Sequence, residues 1–203
     1  MDKKVVIIGA GGQGRVISDI VSACKDNVIG FIDDNKDAHI NGFEYLGDMS
    51  VIDGFLDCTF IIAVGDNETR KRIADKYPKL NYYTAIHPSA VISPTTVIGA
   101  GTCIMPNVTV NSMAEIGKHS IINSNTVVEH DCRVGDFVHL SPHTTVGGTV
   151  TIGDLTWIGI GASIVNNITI CGGVTVGAGA VVNKDIAEAG TYVGVPVHKV
   201  EKK

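Results

Sequence analysis

The sequence predicts two domains in tandem: a small α/β domain over residues 1–87, and a parallel β-helix of six-residue units over residues 88–203. Three observations carry this. A glycine loop, GAGGQG from Gly9 to Gly14, follows an apolar run and leads into a segment of helical spacing. Strand-like and helix-like segments alternate as far as Pro88. Beyond Pro88 the helical period vanishes and a period of six replaces it.

The first half reads in order as follows. Val5–Gly9 is a buried strand. Gly14–Cys24 has apolar residues at helical spacing, Val16, Ile17, Ile20 and Val21. Val28–Asp33 is a second strand and Phe60–Val64 a third. Glu68–Tyr77 is a polar, charged helix stopped by Pro78, and Asn81–Ile86 is expected as a fourth strand. This alternation fits a parallel sheet covered by helices.

In the second half, every sixth residue from Ile92 to Val182 is Ile, Val or Leu, with no break of register. The column four places on, Thr96 to Ile186, is small or aliphatic throughout. Gly follows the aliphatic residue at Gly99, Gly117, Gly135, Gly147, Gly153, Gly159 and Gly177. Each unit is therefore one short strand and a corner, with its aliphatic side chain pointing into a prism. The corners are expected to use Gly or Asn for unusual dihedrals. Three units make a coil, so the prism has about five coils and stands roughly 25 Å tall. The unbroken register predicts no long loop extruded from its middle.

Composition narrows the function classes. The net charge is −5 and no Lys/Arg block stands out, so nucleic acid is not an expected partner. The five cysteines are scattered without a CxxC pair, which fits a reducing compartment and no disulfide framework. No run of 18 apolar residues occurs and the N-terminus lacks a signal-peptide pattern, so a cytoplasmic protein without membrane insertion is expected.

The glycine loop fits G-x-G-x-x-G, and Asp33 stands 19 residues beyond Gly14. On paper this is a dinucleotide fingerprint. A full dinucleotide fold needs two mononucleotide halves, however, and fewer than 90 residues precede the repeats. That is room for a half-Rossmann unit.

The chain resembles the sialic-acid O-acetyltransferase (NeuD/PglD-type) family over essentially its whole length. The resemblance rests on GAGGQG in a small α/β domain, the hexapeptide β-helix, Val128-Glu129-His130-Asp131-Cys132 within it, and Val193-Gly194-Val195-Pro196 near the end. It implies a left-handed β-helix, a homotrimer, and acetyl-CoA as co-substrate without a metal. It also implies acetylation of the amino group of a nucleotide-linked 4-amino-4,6-dideoxy sugar for bacterial glycan synthesis. The glycine loop (Gly9, Gly11, Gly12, Gln13, Gly14) then holds the nucleotide's pyrophosphate at a helix N-terminus. Asp33 and Asp34 lie near the nucleotide, or form a solvated turn. Gly65, Asp66 and Asn67 form the nucleotide-side loop, or a plain helix cap. Many relatives carry His where this chain has Gln13. Gln keeps a positioning role but cannot titrate.

The resemblance marks His130 as general base and Asp131, a shorter replacement for the family's usual Glu, as its partner. An amine attacks a thioester as the free base and must then shed a proton, which suits a histidine oriented by a carboxylate. His130 follows the inward Val128 by two places and should point outward. His139 is assigned to the acetyl end of the cofactor. It should not reach His130 within one prism but could across a subunit boundary. Gly148 stacks one coil beyond His130 and is expected to leave space for substrate above the base. A backbone N–H at the Gly147–Gly148 corner is the expected oxyanion donor. The late coils, with Gly159, Gly177, Gly194 and Pro196, resemble the pantetheine- and adenine-binding end. Trp157 is left between a subunit interface and the cofactor. Cys132 falls in the inward small column, where a thiol is inert, so direct transfer is expected over an acetyl-cysteine route. His87, His119 and His143 have no assigned role. Two other functions share the architecture, O-acetylation of sialic acid or its CMP form and a non-catalytic nucleotide-sugar sensor; a zinc hydratase on the same prism, which His139 and His143 could suggest, does not fit their spacing and lacks a third His upstream.

Overall fold

The computed structural model describes residues 2–201. Strand β1 (Lys4–Ile8) runs into helix α1 (Gly12–Ala23), β2 (Asn27–Ile32), β3 (Tyr45–Gly47), a 3-10 turn (Met49–Phe55), β4 (Thr59–Ile62) and helix α2 (Asn67–Lys76). The four strands form one parallel sheet in the order β3-β2-β1-β4. β1 is central and almost wholly apolar, and Val5, Val6, Ile7 and Ile8 are all buried because helices and loops cover both faces of the sheet. β3 and the 3-10 turn were not foreseen. The expected strand Asn81–Ile86 is divided instead: Tyr82 makes one parallel bridge to Phe60, while Ala85–Ile86 is already the first rung of the prism.

From Ala85 the chain winds through three parallel sheets. Face 1 carries Ala85–Ile86, Cys103–Ile104, Ile121–Ile122, His139–Leu140, Trp157–Ile158 and Val174–Val176. Face 2 carries Val91–Ile92 through Val181–Val182, and face 3 carries Val97–Ile98 through Thr169–Ile170. Paired residues are 18 apart on every face, as in Glu115 with Arg133 and Ile121 with His139, so no loop interrupts the stack. Only the last turn shortens, Val174 pairing with Gly190. The aliphatic column is buried from Ile104 to Val182. Hydroxyls of the small column satisfy corner carbonyls 15 residues ahead, as Thr102 Oγ1 donates to Gly117 O (2.6 Å) and Ser120 Oγ to Gly135 O (2.9 Å).

The corner glycines work differently from the expectation. The left-handed position is three places after the aliphatic residue, and it holds Met113, His119, Asp131, Phe137, Thr149 and Leu155 as well as Gly and Asn, all with φ between 53° and 62° for these six. The glycine directly after the aliphatic residue has no such φ. It is needed for close approach: a Cβ on Gly117 would stand 2.4 Å from the Gly135 backbone.

Candidate active site

His130 lies on the corner between faces 2 and 3. Asp131 there adopts φ +59°, which turns its carboxylate back onto the preceding ring, and His130 Nδ1 lies 2.7 Å from Asp131 Oδ2. Both side chains are 56% exposed, so the imidazole faces outward. The backbone beneath is fixed by the neighbouring coils: Asp131 N donates to Ser112 O (3.0 Å), and His130 O accepts from Thr149 N (2.9 Å). A carboxylate on Nδ1 holds the proton there and leaves the Nε2 lone pair free to accept one. Glu129 adds a second carboxylate, held by Asn111 Nδ2 at 3.0 Å.

Gly148 does stack over His130, but the space is taken by the imidazole itself. A Cβ on Gly148 would stand 2.8 Å from both Cε1 and Nε2. Gly148→Ala should therefore displace the ring and, on the function proposed below, lower kcat by about 10²-fold, since a shift of ~1 Å in a catalytic group costs that much. Steady-state kinetics beside an unchanged circular-dichroism spectrum checks it, and a wild-type kcat would refute it. Of the two oxyanion candidates, the Gly147 N–H is spent on Ile164 O (2.9 Å), and only Gly148 N–H has no backbone partner among the described residues. Gly147 lacks a side chain because Asn166 Oδ1 would lie 2.6 Å from its Cβ.

His139 is on face 1, apart from His130 in the chain. It is buried and stacks on Trp157 with ring centroids 5.4 Å apart. Asn123 Oδ1 accepts from Ser124 N, which turns the Asn123 amide Nδ2 toward His139 Nε2 (3.2 Å). His139 Nε2 is thus an acceptor and Nδ1 carries the hydrogen, with no partner of its own. Burial, and then the nearby Arg70 charge, push its pKa down to about 4, so the ring is neutral at physiological pH. His139, Trp157, Ile160, Gly159 and Gly177 line a groove of ≈ 430 Å³. Gly194 and Pro196 do not line it. The tail packs at its upper end, where Gly177 N donates to Tyr192 O and a Cβ on Gly177 would meet Val193.

A second cavity, ≈ 180 Å³, opens at the carboxyl ends of β1, β2 and β4 and is lined by Gly9, Asp33, Asp34, Met49, Val64 and Thr69 among others. This is where ligands sit in open parallel sheets. Gly9 and Gly14 are packing necessities, a Cβ on Gly14 falling 2.3 Å from Gly9 O. Gly11 has open space around it and caps α1 with no side-chain bond, leaving first-turn amides for an anion. Gln13 Nε2 is buried without a partner. The Asp33 carboxylate is already used on both oxygens, by Ala10 N (2.7 Å) and Asn35 N (2.8 Å). It shapes the glycine loop, and Asp34 is the exposed carboxylate of the pair.

The loop after β4 also differs from the expectation. Asp66 caps α2, accepting from Thr69 N (2.8 Å). Asn67 points away from the cavity and donates to Leu155 O and Thr156 O in the prism. Gly65 alone of the three is open around its Cα.

Residues 4–77 match the PglD N-terminal domain, and residues 113–148 match the bacterial transferase hexapeptide (six repeats). A variant of perosamine N-acetyltransferase from Caulobacter crescentus, solved with CoA and GDP-perosamine, is 33% identical with a TM-score of 0.95, covering 98% of this chain and 97% of that one. The acetyltransferase domain of PglB from Neisseria gonorrhoeae is 32% identical with a TM-score of 0.93, covering 98% of this chain and all of that one. The chain belongs to the NeuD/PglD-type family. UDP-N-acetylbacillosamine N-acetyltransferase of Bacillus subtilis is 38% identical over 110 residues, 50% of this chain and 51% of that protein, so the match spans about half the length of that curated relative. The prism is accordingly the left-handed β-helix of the NeuD/PglD-type enzymes.

Cys132, beside the family's motif, is fully buried and its Sγ donates to Gly147 O (3.1 Å). Burial raises its pKa, which leaves the thiol a member of the small-column ladder and a poor nucleophile. No group of three or more His, Cys, Asp or Glu among the described residues is arranged to hold a metal. No helix among them is long and apolar enough to cross a membrane.

Proposed function

We propose that this protein is an acetyl-CoA-dependent N-acetyltransferase acting on the 4-amino group of a nucleotide-linked 4-amino-4,6-dideoxyhexose. The carrying observation is the half-exposed His130 ring, oriented through Nδ1 by Asp131. Acetyl-CoA supplies the activated thioester. The face 1 groove suits its pantetheine arm, with apolar walls and glycine edges. The cavity beside Gly9 and Asp34 takes the nucleotide. His130 receives the proton that the amine sheds as it attacks, and Asp131 stabilises the resulting imidazolium. Gly148 N–H is aimed at the developing oxyanion.

His130 and the groove lie on different parts of one prism, so the reading requires a homotrimer in which His130 of one protomer meets the partner subunit's His139. Face 2 supports this. Its outward residues, Val91, Thr109, Val127, Thr145, Ser163 and Val181, include no charge, and Val91 is 67% exposed.

The test is release of CoA from acetyl-CoA, followed with a thiol reagent, on UDP-, dTDP- and GDP-linked 4-amino-4,6-dideoxyhexoses. Turnover with one of them supports the reading and names the nucleotide. Turnover with CMP-sialic acid alone moves the assignment to O-acetylation, and nucleotide-sugar binding without any turnover leaves a sensor.

A further inference from the structure

The prism's left-handed corners leave a row of carbonyls that none of its own backbone bonds uses. Three of them, on His119, Phe137 and Leu155, stack one per coil beside α2. Two side chains of α2 take all three. Arg70 Nε donates to His119 O (2.6 Å), Arg70 Nη2 to Phe137 O (3.1 Å), and Asn67 Nδ2 to Leu155 O (3.1 Å). The same guanidinium reaches back to the acceptor side. Its Nη1 donates to Val64 O (2.8 Å) and Gly65 O (3.1 Å), and Nη2 also donates to Asn67 Oδ1 (2.7 Å). All five N–H groups are thereby matched.

Arg70 is 1% exposed, and no carboxylate lies within ion-pair distance of it among the described residues. A charge buried among neutral carbonyls is a costly way to glue two domains, and an apolar side chain of similar volume often serves as well or better. The planar fork differs in setting direction and distance at five atoms together. A corner that repeats every coil offers equivalent seats ~4.8 Å apart, and an apolar contact would not tell one from the next. Val64 lines the cavity assigned to the nucleotide.

We propose that Arg70, with Asn67, is a positioning residue: it locks the Val64–Gly65 loop to one rung of the prism and so sets the bound acceptor amine against the thioester. The proposal rests on the function given above. It separates Arg70 from the residues that bind either ligand, and from a staple that serves stability alone.

The experiment compares Arg70→Gln, Arg70→Lys and Asn67→Ser in the full chain. Each is measured for affinity toward nucleoside diphosphate and toward CoA, and for transfer to a nucleotide-linked amino sugar and to the same 4-amino sugar free of nucleotide. In folded Arg70→Gln, kcat on the nucleotide-linked sugar is expected to fall about 10²-fold, the cost of a misplaced reactant. Both affinities should stay within about three-fold, and slow transfer to the free sugar, which needs no placement by the first domain, should be unchanged. Arg70→Lys should recover part of the loss, keeping the charge but not the fork. Asn67→Ser leaves Arg70 its four carbonyls and should lower kcat by about ten-fold in the same pattern. It decides the matter if the Arg70 variants fail to fold. Wild-type kcat in folded Arg70→Gln, or in Asn67→Ser where the former does not fold, overturns the proposal. So does a loss shared equally by the free sugar. A wild-type chain that acetylates no nucleotide-linked amino sugar overturns the function itself, and this proposal with it.

Discussion

His130→Ala should lower kcat and kcat/KM together by about 10³-fold, with KM for either substrate and the melting temperature almost unmoved. The reasoning is local. The ring is half exposed and bonded only to Asp131, so its removal leaves no buried group unsatisfied and opens no cavity. What disappears is the acceptor for the proton that the attacking amine must lose. Asp131→Asn should produce a smaller loss, because an amide can still touch Nδ1 but no longer stabilises a charged ring. Stopped assays of CoA release across a range of acceptor concentrations separate kcat from KM. A His130→Ala variant with more than a tenth of wild-type kcat would remove the histidine from the chemistry and leave Asp131 without a role.

The placement of that pair was legible from sequence because the prism imposes a fixed phase. Val128 and Cys132 are inward by register, so His130 had to face out, and the structure keeps the register unbroken from Ile86 to Val182. The left-handed turn at Asp131 was not legible, since the same column holds Met, Phe and Leu elsewhere and no residue type marks it. The α/β half was readable where strands are long and apolar. It was misread at Asn81–Ile86, where Tyr82 and Ala85–Ile86 serve two different sheets. β3 was missed because it is only Tyr-Leu-Gly. The largest omission was in α2, which reads from sequence only as a polar, charged helix. Its buried residues are Asn67, Arg70 and Ala74, which share one face at helical spacing, but two of the three are polar. A hydrophobic period cannot find a face buried through hydrogen bonds. The carbonyl row that Arg70 and Asn67 recognise is backbone and leaves no trace in side-chain pattern. Asp33 shows the same limit: its spacing matched a nucleotide contact, yet the glycine loop consumes its carboxylate first.

Acid should weaken this protein well before its carboxylates titrate, and at the domain contact. His119 and His139 are both buried, and burial followed by the Arg70 charge pushes each pKa down to about 4 from an ordinary 6.5. The native state thus holds these protons less tightly than the unfolded chain. Stability is complete above pH 6.5, falls as the unfolded chain takes up protons between 6.5 and 4, and levels off for these groups below that. Each shift corresponds to about 3 kcal/mol. Both rings answer to the same guanidinium, so they are not independent and the pair contributes on the order of 5 kcal/mol. The carboxylates held below their usual range by favourable partners, Asp26, Asp48, Asp57, Asp66 and Glu188, lose that stabilisation only at the acid end of this window and below it. Denaturant midpoints at steps from pH 7.5 to 4.5 should therefore fall continuously, and His119→Phe should flatten part of the slope. Phe suits that site because the imidazole already stacks on Phe137 at 5.1 Å and meets the Tyr82 ring edge-on at 4.4 Å. Midpoints that stay level to pH 4.5 would mean that both rings are protonated at little cost. The contact around Arg70 would then have to tolerate a second charge, which a guanidinium bonded only to neutral oxygens is poorly built to do.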